Sequence, residues 1–241
     1  MKLFLLSGFG GVHGDWSEFV RGLGTRHKCV SVVYPETKLV GAVAELLAAE
    51  TEPYAVVGYS MGGRIALAAT SALPKEQSPR ALVLLASGLN EQDAAIRQQR
   101  LQQDEAWASL LRRDAASFWG DWYAQPIFSS LKEVPTEALL AWHERRKALS
   151  PEVLASQIIE NSPGKMEPLR PRLRALIEDG ISVLYISGEL DKKYSSLGEE
   201  LAGEYLMLER ATIPGVGHVL PLEAPLECAA IVENFLKKQE K

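Results

Sequence analysis

The sequence predicts an α/β fold: a mostly parallel central sheet with helices on both faces and a helical cap insertion. Three observations lead to this prediction. Short apolar runs that stop at glycine or proline alternate with segments of helical period. One run enters a Gly-x-Ser-x-Gly turn that opens a helix. The chain has 241 residues, 46% of them hydrophobic, which is enough apolar material for one such domain.

The first part of the chain alternates between strand and helix signals. Leu3 to Leu6 is a continuous apolar run of the kind that forms a buried parallel strand. A helix is expected near Phe19. Further strands are predicted over 29–33, from Tyr54 to the glycine turn, and over 81–86, with helices over 40–49 and 65–73. Because helices separate successive strands, the sheet is expected to be doubly wound and parallel.

The segment from 90 to 165 differs from the rest of the chain. Strand signals vanish, charges become dense, and four of the five tryptophans lie there. We expect a helical cap over the carboxyl edge of the sheet, where ligands of such sheets bind. The predicted organisation is therefore an α/β core formed by 1–89 and 166–241, interrupted by a cap over 90–165.

The strand–helix alternation resumes after the cap. Helices are predicted over 169–177, 197–202 and 226–236, and strands over 181–186 and 206–213. The first of these strands ends in Ser187-Gly188-Glu189-Leu190-Asp191, and the second ends in Pro214-Gly215-Val216-Gly217-His218. Both turns therefore place polar side chains at the carboxyl edge of the sheet.

Composition excludes several classes of protein. The formal net charge of -5 argues against nucleic acid as a partner, because phosphate binding needs a basic surface. The apolar run at the amino terminus stops at Ser7, too early for a signal peptide, and no stretch is long enough to span a membrane. A cytoplasmic protein is expected. Cys29 and Cys228 lie in apolar segments without metal-ligand spacing, so no metal or other cofactor is expected. No obligate protein partner is evident.

Ser60 lies in the turn Gly58-Tyr59-Ser60-Met61-Gly62, between a strand and an alanine-rich helix. A turn this tight strains the serine backbone, and the two glycines let strand and helix approach closely. The serine hydroxyl is therefore expected above the end of the sheet. It would lie at a helix amino terminus, where developing negative charge is stabilised.

Three groups at the ends of three of the predicted strands form a candidate catalytic triad, in the chain order Ser60, Asp191, His218. Histidine can accept the serine proton near neutral pH, and a buried carboxylate fixes the imidazole tautomer. Glu189 is the alternative acid. The oxyanion hole is expected from the backbone N–H groups of Met61 and of Phe9 in the first loop.

These residues resemble the α/β-hydrolase superfamily over nearly the whole chain. A narrower resemblance lies in the cap, where Trp122-Tyr123-Ala124-Gln125-Pro126-Ile127-Phe128 is similar to a WYxQPxF segment. That segment is typical of the 2-succinyl-6-hydroxy-2,4-cyclohexadiene-1-carboxylate synthases of menaquinone biosynthesis. The run from Gly58 to Arg64 also matches that branch, and the run from Gly188 to Tyr194 matches it less closely.

The resemblance implies a lyase step on a hydrolase scaffold. The family reaction removes pyruvate from 2-succinyl-5-enolpyruvyl-6-hydroxy-3-cyclohexene-1-carboxylate. Ser60, activated by His218, would take a proton beside the succinyl carbonyl, and the oxyanion hole would hold the enolate. Pyruvate would then leave without an acyl-enzyme.

A small-molecule polycarboxylate substrate needs arginines, whose planar forks bind carboxylates. Arg64 is a charge on an otherwise apolar helix, one turn after Ser60. The resemblance further implies Arg100 and Arg146, with Arg145 as an alternative to Arg146; solvated helix faces are the other interpretation. Tyr59, Trp122 and Tyr123 are expected either to line the pocket or to pack in the core.

The chain departs from the family pattern at Ser7, which replaces a histidine, at Leu190, which replaces an arginine, and at Pro221, which replaces a second histidine. Two other functions therefore compete with the synthase. One is a carboxylic-ester or thioester hydrolase with the same triad, which would form an acyl-enzyme. The other is a non-catalytic ligand-binding protein, which has no need of Ser60, Asp191 and His218 together.

Overall fold

A single sheet of six parallel strands forms the centre of the protein, in the spatial order β2-β1-β3-β4-β5-β6. The computed structural model describes residues 1–90 and 93–239. The strands are β1 (Lys2–Leu6), β2 (Lys28–Ser31), β3 (Tyr54–Tyr59), β4 (Ala81–Leu85), β5 (Ser182–Gly188) and β6 (Leu208–Ile213). Because all six run in one direction, their carboxyl ends share one edge.

Helices fill the connections between the strands. The core helices are α1 (Ser17–Leu23), α2 (Leu39–Ala48), α3 (Met61–Thr70), α8 (Arg170–Glu178), α9 (Lys192–Glu204), α10 (Leu220–Glu223) and α11 (Pro225–Gln239). Between β4 and α8 lie α4 (Ala94–Arg113), α5 (Ala115–Tyr123), α6 (Thr136–Lys147) and α7 (Pro151–Glu160). Short 3-10 helices run over His13–Trp16, Lys75–Gln77 and Pro126–Glu133.

The two faces of the sheet bury different helices, because successive strand side chains point to opposite faces. Leu3 and Leu5 of β1 pack in one cluster with α1 and α11. Phe4 and Leu6 pack in the other, with α2, α3, α8 and α9. Both faces are covered, as is usual for parallel sheets, and this confirms the predicted fold class.

The described residues between β4 and α8 are helical or irregular and form no strand. They build a small apolar core of their own from Ala108, Leu111, Phe118, Trp119, Leu154, Ala155 and Ile158. The limits predicted for the cap, 90 and 165, stay a prediction. Residues 91, 92, 240 and 241, which fall within the predicted segments, lie outside the described residues.

The observed bounds of several helices and strands differ from the predicted ones. The second strand ends at Ser31 rather than at Val33, whose side chain is exposed. The helix predicted from residue 65 begins at Met61, directly after Ser60. The helix predicted over 197–202 begins at Lys192, because the Asp191 side chain accepts a hydrogen bond from the backbone of Tyr194 and caps it.

Within the ranges 1–90 and 93–239, no helix is both long and apolar enough to cross a membrane. In the same ranges, histidine, cysteine and acidic side chains do not gather in groups of three or more that would suit a metal ion. Cys29 and Cys228 are free thiols, and burial raises the pKa of both.

Candidate active site

Ser60 occupies a strained turn between β3 and α3. Its φ of 51° and ψ of -113° lie in a region that L-residues rarely adopt and that typically costs about 1–3 kcal/mol. Gly62 makes the turn possible, because a Cβ there would lie 2.3 Å from the carbonyl oxygen of Leu6. The Ser60 N–H donates to the carbonyl oxygen of Leu85 at 2.9 Å. These contacts hold the hydroxyl at the carboxyl edge of the sheet.

His218 and Asp191 meet Ser60 at this edge. Nε2 of His218 lies 3.1 Å from Oγ of Ser60, and Nδ1 lies 2.6 Å from Oδ2 of Asp191. The imidazole and the carboxylate are both buried. The three residues follow β3, β5 and β6, so the parallel sheet itself brings them together. The arrangement is that of a serine activated by a histidine, which a carboxylate orients.

The other candidate acid, Glu189, has a different partner. Its Oε2 accepts a hydrogen bond from the backbone N–H of Gly215 at 2.9 Å. Of the two acids, the structure brings Asp191 to His218.

Aromatic rings surround the imidazole of His218. The ring centres of Tyr194, Tyr59 and Phe128 lie 5.0, 5.5 and 6.0 Å from that of His218. They limit the rotation of the imidazole and reduce the access of water to it.

The two expected oxyanion-hole residues, Phe9 and Met61, line the same cavity as Ser60. Met61 is the first residue of α3, where the N–H has no intrahelical partner. The Phe9 ring packs against Trp119 and Trp122, with centres 6.0 and 5.0 Å apart. The loop that carries Phe9 is thus held by the aromatic side chains of α5.

Ser7, which stands where the resemblance has histidine, anchors the start of this loop. Its hydroxyl accepts a hydrogen bond of 2.8 Å from Nε1 of Trp16. Its carbonyl oxygen accepts one of 2.8 Å from the hydroxyl of Tyr34. Ser7 therefore anchors the loop through two hydrogen bonds of its own, although it stands in place of histidine.

A cavity of about 1050 Å³ opens above Ser60 and His218, between the carboxyl edge of the sheet and the cap. Three of the predicted substrate-binding residues line it: Arg64, Arg100 and Trp122. The cavity is mixed in character, with aromatic and aliphatic side chains beside several charged ones.

Arg64 is buried in the cavity wall. Its Nη1 donates to the carbonyl oxygen of Asn161 at 2.6 Å and lies 3.3 Å from Sδ of Met166. Burial lowers the pKa of Arg64 to about 10, which leaves the guanidinium charged at neutral pH. In the described parts of the chain no carboxylate forms an ion pair with it.

Arg100 has a carboxylate partner in the same wall. Its Nε donates to both oxygens of Asp104, at 3.0 and 2.9 Å, one helical turn away on α4. Both bonds use the same nitrogen. The two terminal nitrogens of the guanidinium are thus left for a ligand.

Three predicted substrate-binding residues lie outside the cavity lining. Arg146 is turned toward the first loop, where it pairs with Asp15 at 2.6 Å. The hydroxyl of Tyr123 accepts a hydrogen bond from Nε1 of Trp142 at 3.1 Å, and its ring lines a separate groove between cap helices. Tyr59 is buried beside Gly8, and burial raises the pKa of its hydroxyl well above the usual value. Each side chain is held by contacts within the protein.

Several residues of the cavity were not predicted from the sequence. Lys193 and Tyr194 line the cavity from the first turn of α9, two and three residues after Asp191. Asn161 and Gln125 reach it from the cap. The position of Lys193 at a helix start next to the acid was the one available signal.

Comparisons with known proteins identify the family of this chain. The model of the alpha/beta hydrolase family matches residues 3–231. A 2-succinyl-6-hydroxy-2,4-cyclohexadiene-1-carboxylate synthase from Serratia proteamaculans is 34% identical over 189 residues, which cover 77% of this chain and 68% of the relative. A second synthase, from Klebsiella pneumoniae, is 33% identical over 184 residues, which cover 76% of this chain and 68% of the relative. The chain belongs to the synthase branch of the alpha/beta hydrolase family. A further relative from Haemophilus influenzae, named as a synthase of the same kind, is 28% identical; the match covers 99% of this chain and 98% of the relative.

Solved structures show the fold independently. The structure of MenH from S. aureus aligns with 100% of this chain and 95% of its own, with a TM-score of 0.89 and 23% identity. A thermophilic esterase from Thermogutta terrifontis aligns with a TM-score of 0.78 and 17% identity, over 100% and 91% of the two chains. The synthase branch thus shares its scaffold with ester hydrolases.

Proposed function

We propose that this protein eliminates pyruvate from 2-succinyl-5-enolpyruvyl-6-hydroxy-3-cyclohexene-1-carboxylate to give 2-succinyl-6-hydroxy-2,4-cyclohexadiene-1-carboxylate. The observation that carries the proposal is Arg64, a buried arginine without a carboxylate partner in the described chain, in the same cavity as Ser60 and His218. A hydrolase of neutral esters has no use for such a charge. The names of the relatives point to the same reaction.

The charges of the cavity suit a substrate with three carboxylates. Arg64 and Lys193 line it, and neither has an ion-pair partner within residues 1–90 and 93–239. Arg100 offers its terminal nitrogens beside them. Guanidinium groups bind carboxylates through paired hydrogen bonds, and Lys193 would add a third positive charge. Trp122 and Phe128 would pack against the ring of the substrate.

The triad would act as the base. Nε2 of His218 accepts the proton of the Ser60 hydroxyl, and Ser60 Oγ takes the hydrogen at C2 of the substrate ring, beside the succinyl carbonyl. Asp191 stabilises the imidazolium that forms. The electron pair moves into an enolate, whose oxygen accepts hydrogen bonds from the N–H groups of Phe9 and Met61.

Elimination then completes the reaction. The enolate carbonyl reforms, a double bond forms between C2 and C3, and the ring double bond shifts from C3–C4 to C4–C5. The C5–O bond breaks, and enolpyruvate leaves. It takes up the proton held by the His218 imidazolium and becomes pyruvate, which returns the imidazole to its neutral form. No bond forms between Ser60 and the substrate. The cytoplasm is the compartment we propose for this step.

An ester hydrolase is the second candidate, because the same triad and oxyanion hole would serve acyl transfer and the scaffold is shared with an esterase. The two functions differ in their first products. A hydrolase forms an acyl-enzyme and releases a burst of leaving group; the eliminating synthase does neither.

The experiment is to make the substrate enzymatically, add the purified protein and follow pyruvate release through lactate dehydrogenase. Release that is lost in Ser60→Ala, but kept in a matched control such as the exposed Ser129→Ala, supports the synthase. An inactive wild-type protein that cleaves small aryl esters with a burst would favour the hydrolase instead.

A further inference from the structure

A buried ion pair joins the first loop to the cap. Nη2 of Arg146 lies 2.6 Å from Oδ2 of Asp15, and Nη1 lies 3.3 Å from Oδ1. The two side chains are only 2% and 3% exposed. Nη1 also donates to the carbonyl oxygen of Trp142 at 3.0 Å, and the guanidinium stacks 3.4 Å from the centre of the Trp142 ring. The charge of Arg146 is therefore satisfied within the protein.

The Asp15 side of this pair continues into the loop. Oδ2 of Asp15 accepts a hydrogen bond of 3.1 Å from the backbone N–H of Val12, which closes the turn at the end of the loop. A second arginine, the half-buried Arg145, places Nε 3.3 Å from Oδ1. Asp15 therefore ties the backbone of the loop to two side chains of α6.

The stem of Arg146 also contacts the loop directly. Gly10 has a φ of 65°, and a Cβ on it would lie 3.6 Å from Cγ of Arg146 and 3.0 Å from the Trp119 ring. Gly10 is the neighbour of Phe9, whose N–H is the proposed oxyanion donor. The cap arginine thus packs one residue away from that donor and pairs with the acid that closes the same loop.

A loop with this many glycines needs such an anchor. Gly8, Gly10, Gly11 and Gly14 give the backbone wide conformational freedom. An oxyanion donor contributes only when its N–H is held at hydrogen-bond distance from the developing charge. An ion pair removed from water restrains the loop strongly, because its energy changes steeply with geometry at low dielectric.

We propose that Asp15 and Arg146 are positioning residues: Arg146 of the cap, acting through Asp15, fixes the loop that presents the Phe9 N–H to the reacting oxygen. This inference rests on the oxyanion hole of the proposed function, but it applies equally to an ester hydrolase. It replaces the expectation that Arg146 binds a substrate carboxylate.

Steady-state kinetics of pyruvate release separate the two roles. Arg146→Lys keeps the charge but loses the forked contact, and Asp15→Glu keeps the charge but shifts it by one methylene. Positioning predicts that both variants lower kcat about 10- to 100-fold and change KM less than about threefold. A carboxylate-binding Arg146 predicts a raised KM in Arg146→Lys alone, and that result would overturn the proposal.

Arg112→Lys is the matched control. Arg112 also forms a forked pair with a carboxylate, that of Glu152, on the exposed surface of the cap. Its replacement should leave kcat and KM unchanged. Melting temperatures of all variants show which of them keep the fold, and Asp15→Glu and Arg146→Lys, which conserve both charges, are the least disruptive pair.

A second readout does not depend on the substrate. A small uncharged fluorophosphonate modifies an activated serine: Oγ bonds to phosphorus, fluoride leaves, and the hydroxyl proton passes to His218. The phosphoryl oxygen then occupies the oxyanion hole. Modification of Ser60, followed by intact mass, should be at least about fivefold slower in Asp15→Glu and Arg146→Lys than in wild type.

Pyruvate release and fluorophosphonate labelling test the proposed function and the positioning role separately. Labelling without pyruvate release overturns the proposed function, and the labelling rates of the variants then decide the positioning role. Equal labelling rates in wild type and both variants overturn the positioning role. A wild-type protein that neither labels nor releases pyruvate overturns both.

Discussion

The Arg64 guanidinium donates a hydrogen bond of 2.6 Å to the carbonyl oxygen of Asn161, which joins the helix behind Ser60 to the cap. This bond uses one terminal nitrogen and brings no negative charge. Within residues 1–90 and 93–239, no carboxylate forms an ion pair with Arg64, so a carboxylate ligand in the cavity could bind it directly.

Replacement of Arg64 should weaken substrate binding. A hydrogen bond to a charged group contributes about 1.5–3 kcal/mol, so Arg64→Met should raise KM roughly 10- to 150-fold. Arg64→Lys should recover only part of this, because an ammonium group cannot form the forked contact. Pyruvate-release kinetics measure the effect, and Arg113→Met, on the exposed side of α4, is the control. An unchanged KM in Arg64→Met would exclude the carboxylate contact.

The same substitution should stabilise the protein without ligand. The lowered pKa of Arg64 reflects the loss of water around its charge, and this penalty is present in full below about pH 10. Arg64→Met removes it, so we expect a gain of about 1 kcal/mol, or roughly 2–4 °C in Tm. Calorimetry should show a rise in Tm on addition of a tricarboxylate to wild type but not to the variant. A lower Tm in Arg64→Met would show that the bond to Asn161 outweighs the desolvation.

The two acids after β5 should differ sharply in their effect on catalysis. Asp191→Asn leaves the shape of the site intact but removes the charge that stabilises the imidazolium, so kcat should fall by about 10³- to 10⁴-fold. Glu189→Gln changes a residue that binds only the backbone of Gly215, and it should retain the wild-type kcat. Equal losses in the two variants would contradict the assignment of Asp191.

The strain at Ser60 can be measured with two variants that both lack the hydroxyl. Glycine adopts a φ of 51° without steric cost, whereas alanine adopts it at a cost because of its Cβ. Ser60→Gly should therefore be more stable than Ser60→Ala by about 1 kcal/mol, which is roughly 2–4 °C in Tm. Thermal unfolding of the two inactive proteins gives this difference directly. Equal Tm values would mean that the turn does not strain its central residue.

His143 should make the protein sensitive to acid. Burial lowers the pKa of His143, and the charges of Arg146 and Lys147 lower it further. As pH falls below about 6.5, the unfolded chain binds a proton that the folded protein resists, so stability is lost. Between pH 7.5 and 5.5, the Tm of His143→Gln should fall by about 1–2 °C less than the Tm of wild type. His13→Gln, at an exposed position, is the control and should behave as wild type.

The sequence was most informative where the geometry is local or repeats along the sheet. A Gly-x-Ser-x-Gly turn between a strand and a helix positions Ser60 through its immediate neighbours. Asp191 and His218 follow from the rule that parallel strands end at one edge. The fold class, which depends on the same alternation, was predicted for the same reason.

The contacts of the cap were not predictable in this way. Arg146 and Asp15 lie 131 positions apart, and nothing in the helical period of α6 indicates which acid an arginine meets. Alignment with a family gave Arg146 a ligand role, whereas the packing of α6 on the first loop gives it a partner in the protein. Lys193 was missed because a lysine at a helix start is most often a solvated charge.

The contact between Ser60 and His218 closes across 158 positions of the chain. At a synthesis rate of about 5–20 residues per second, Ser60 leaves the ribosome roughly 8–30 s before His218 does. During that interval the serine has no base, and it gains one only when β6 has joined the edge of the sheet. A nascent or partly unfolded chain therefore has no activated serine. During refolding, activity should appear only when β6 has joined the sheet, so the return of activity would measure that step.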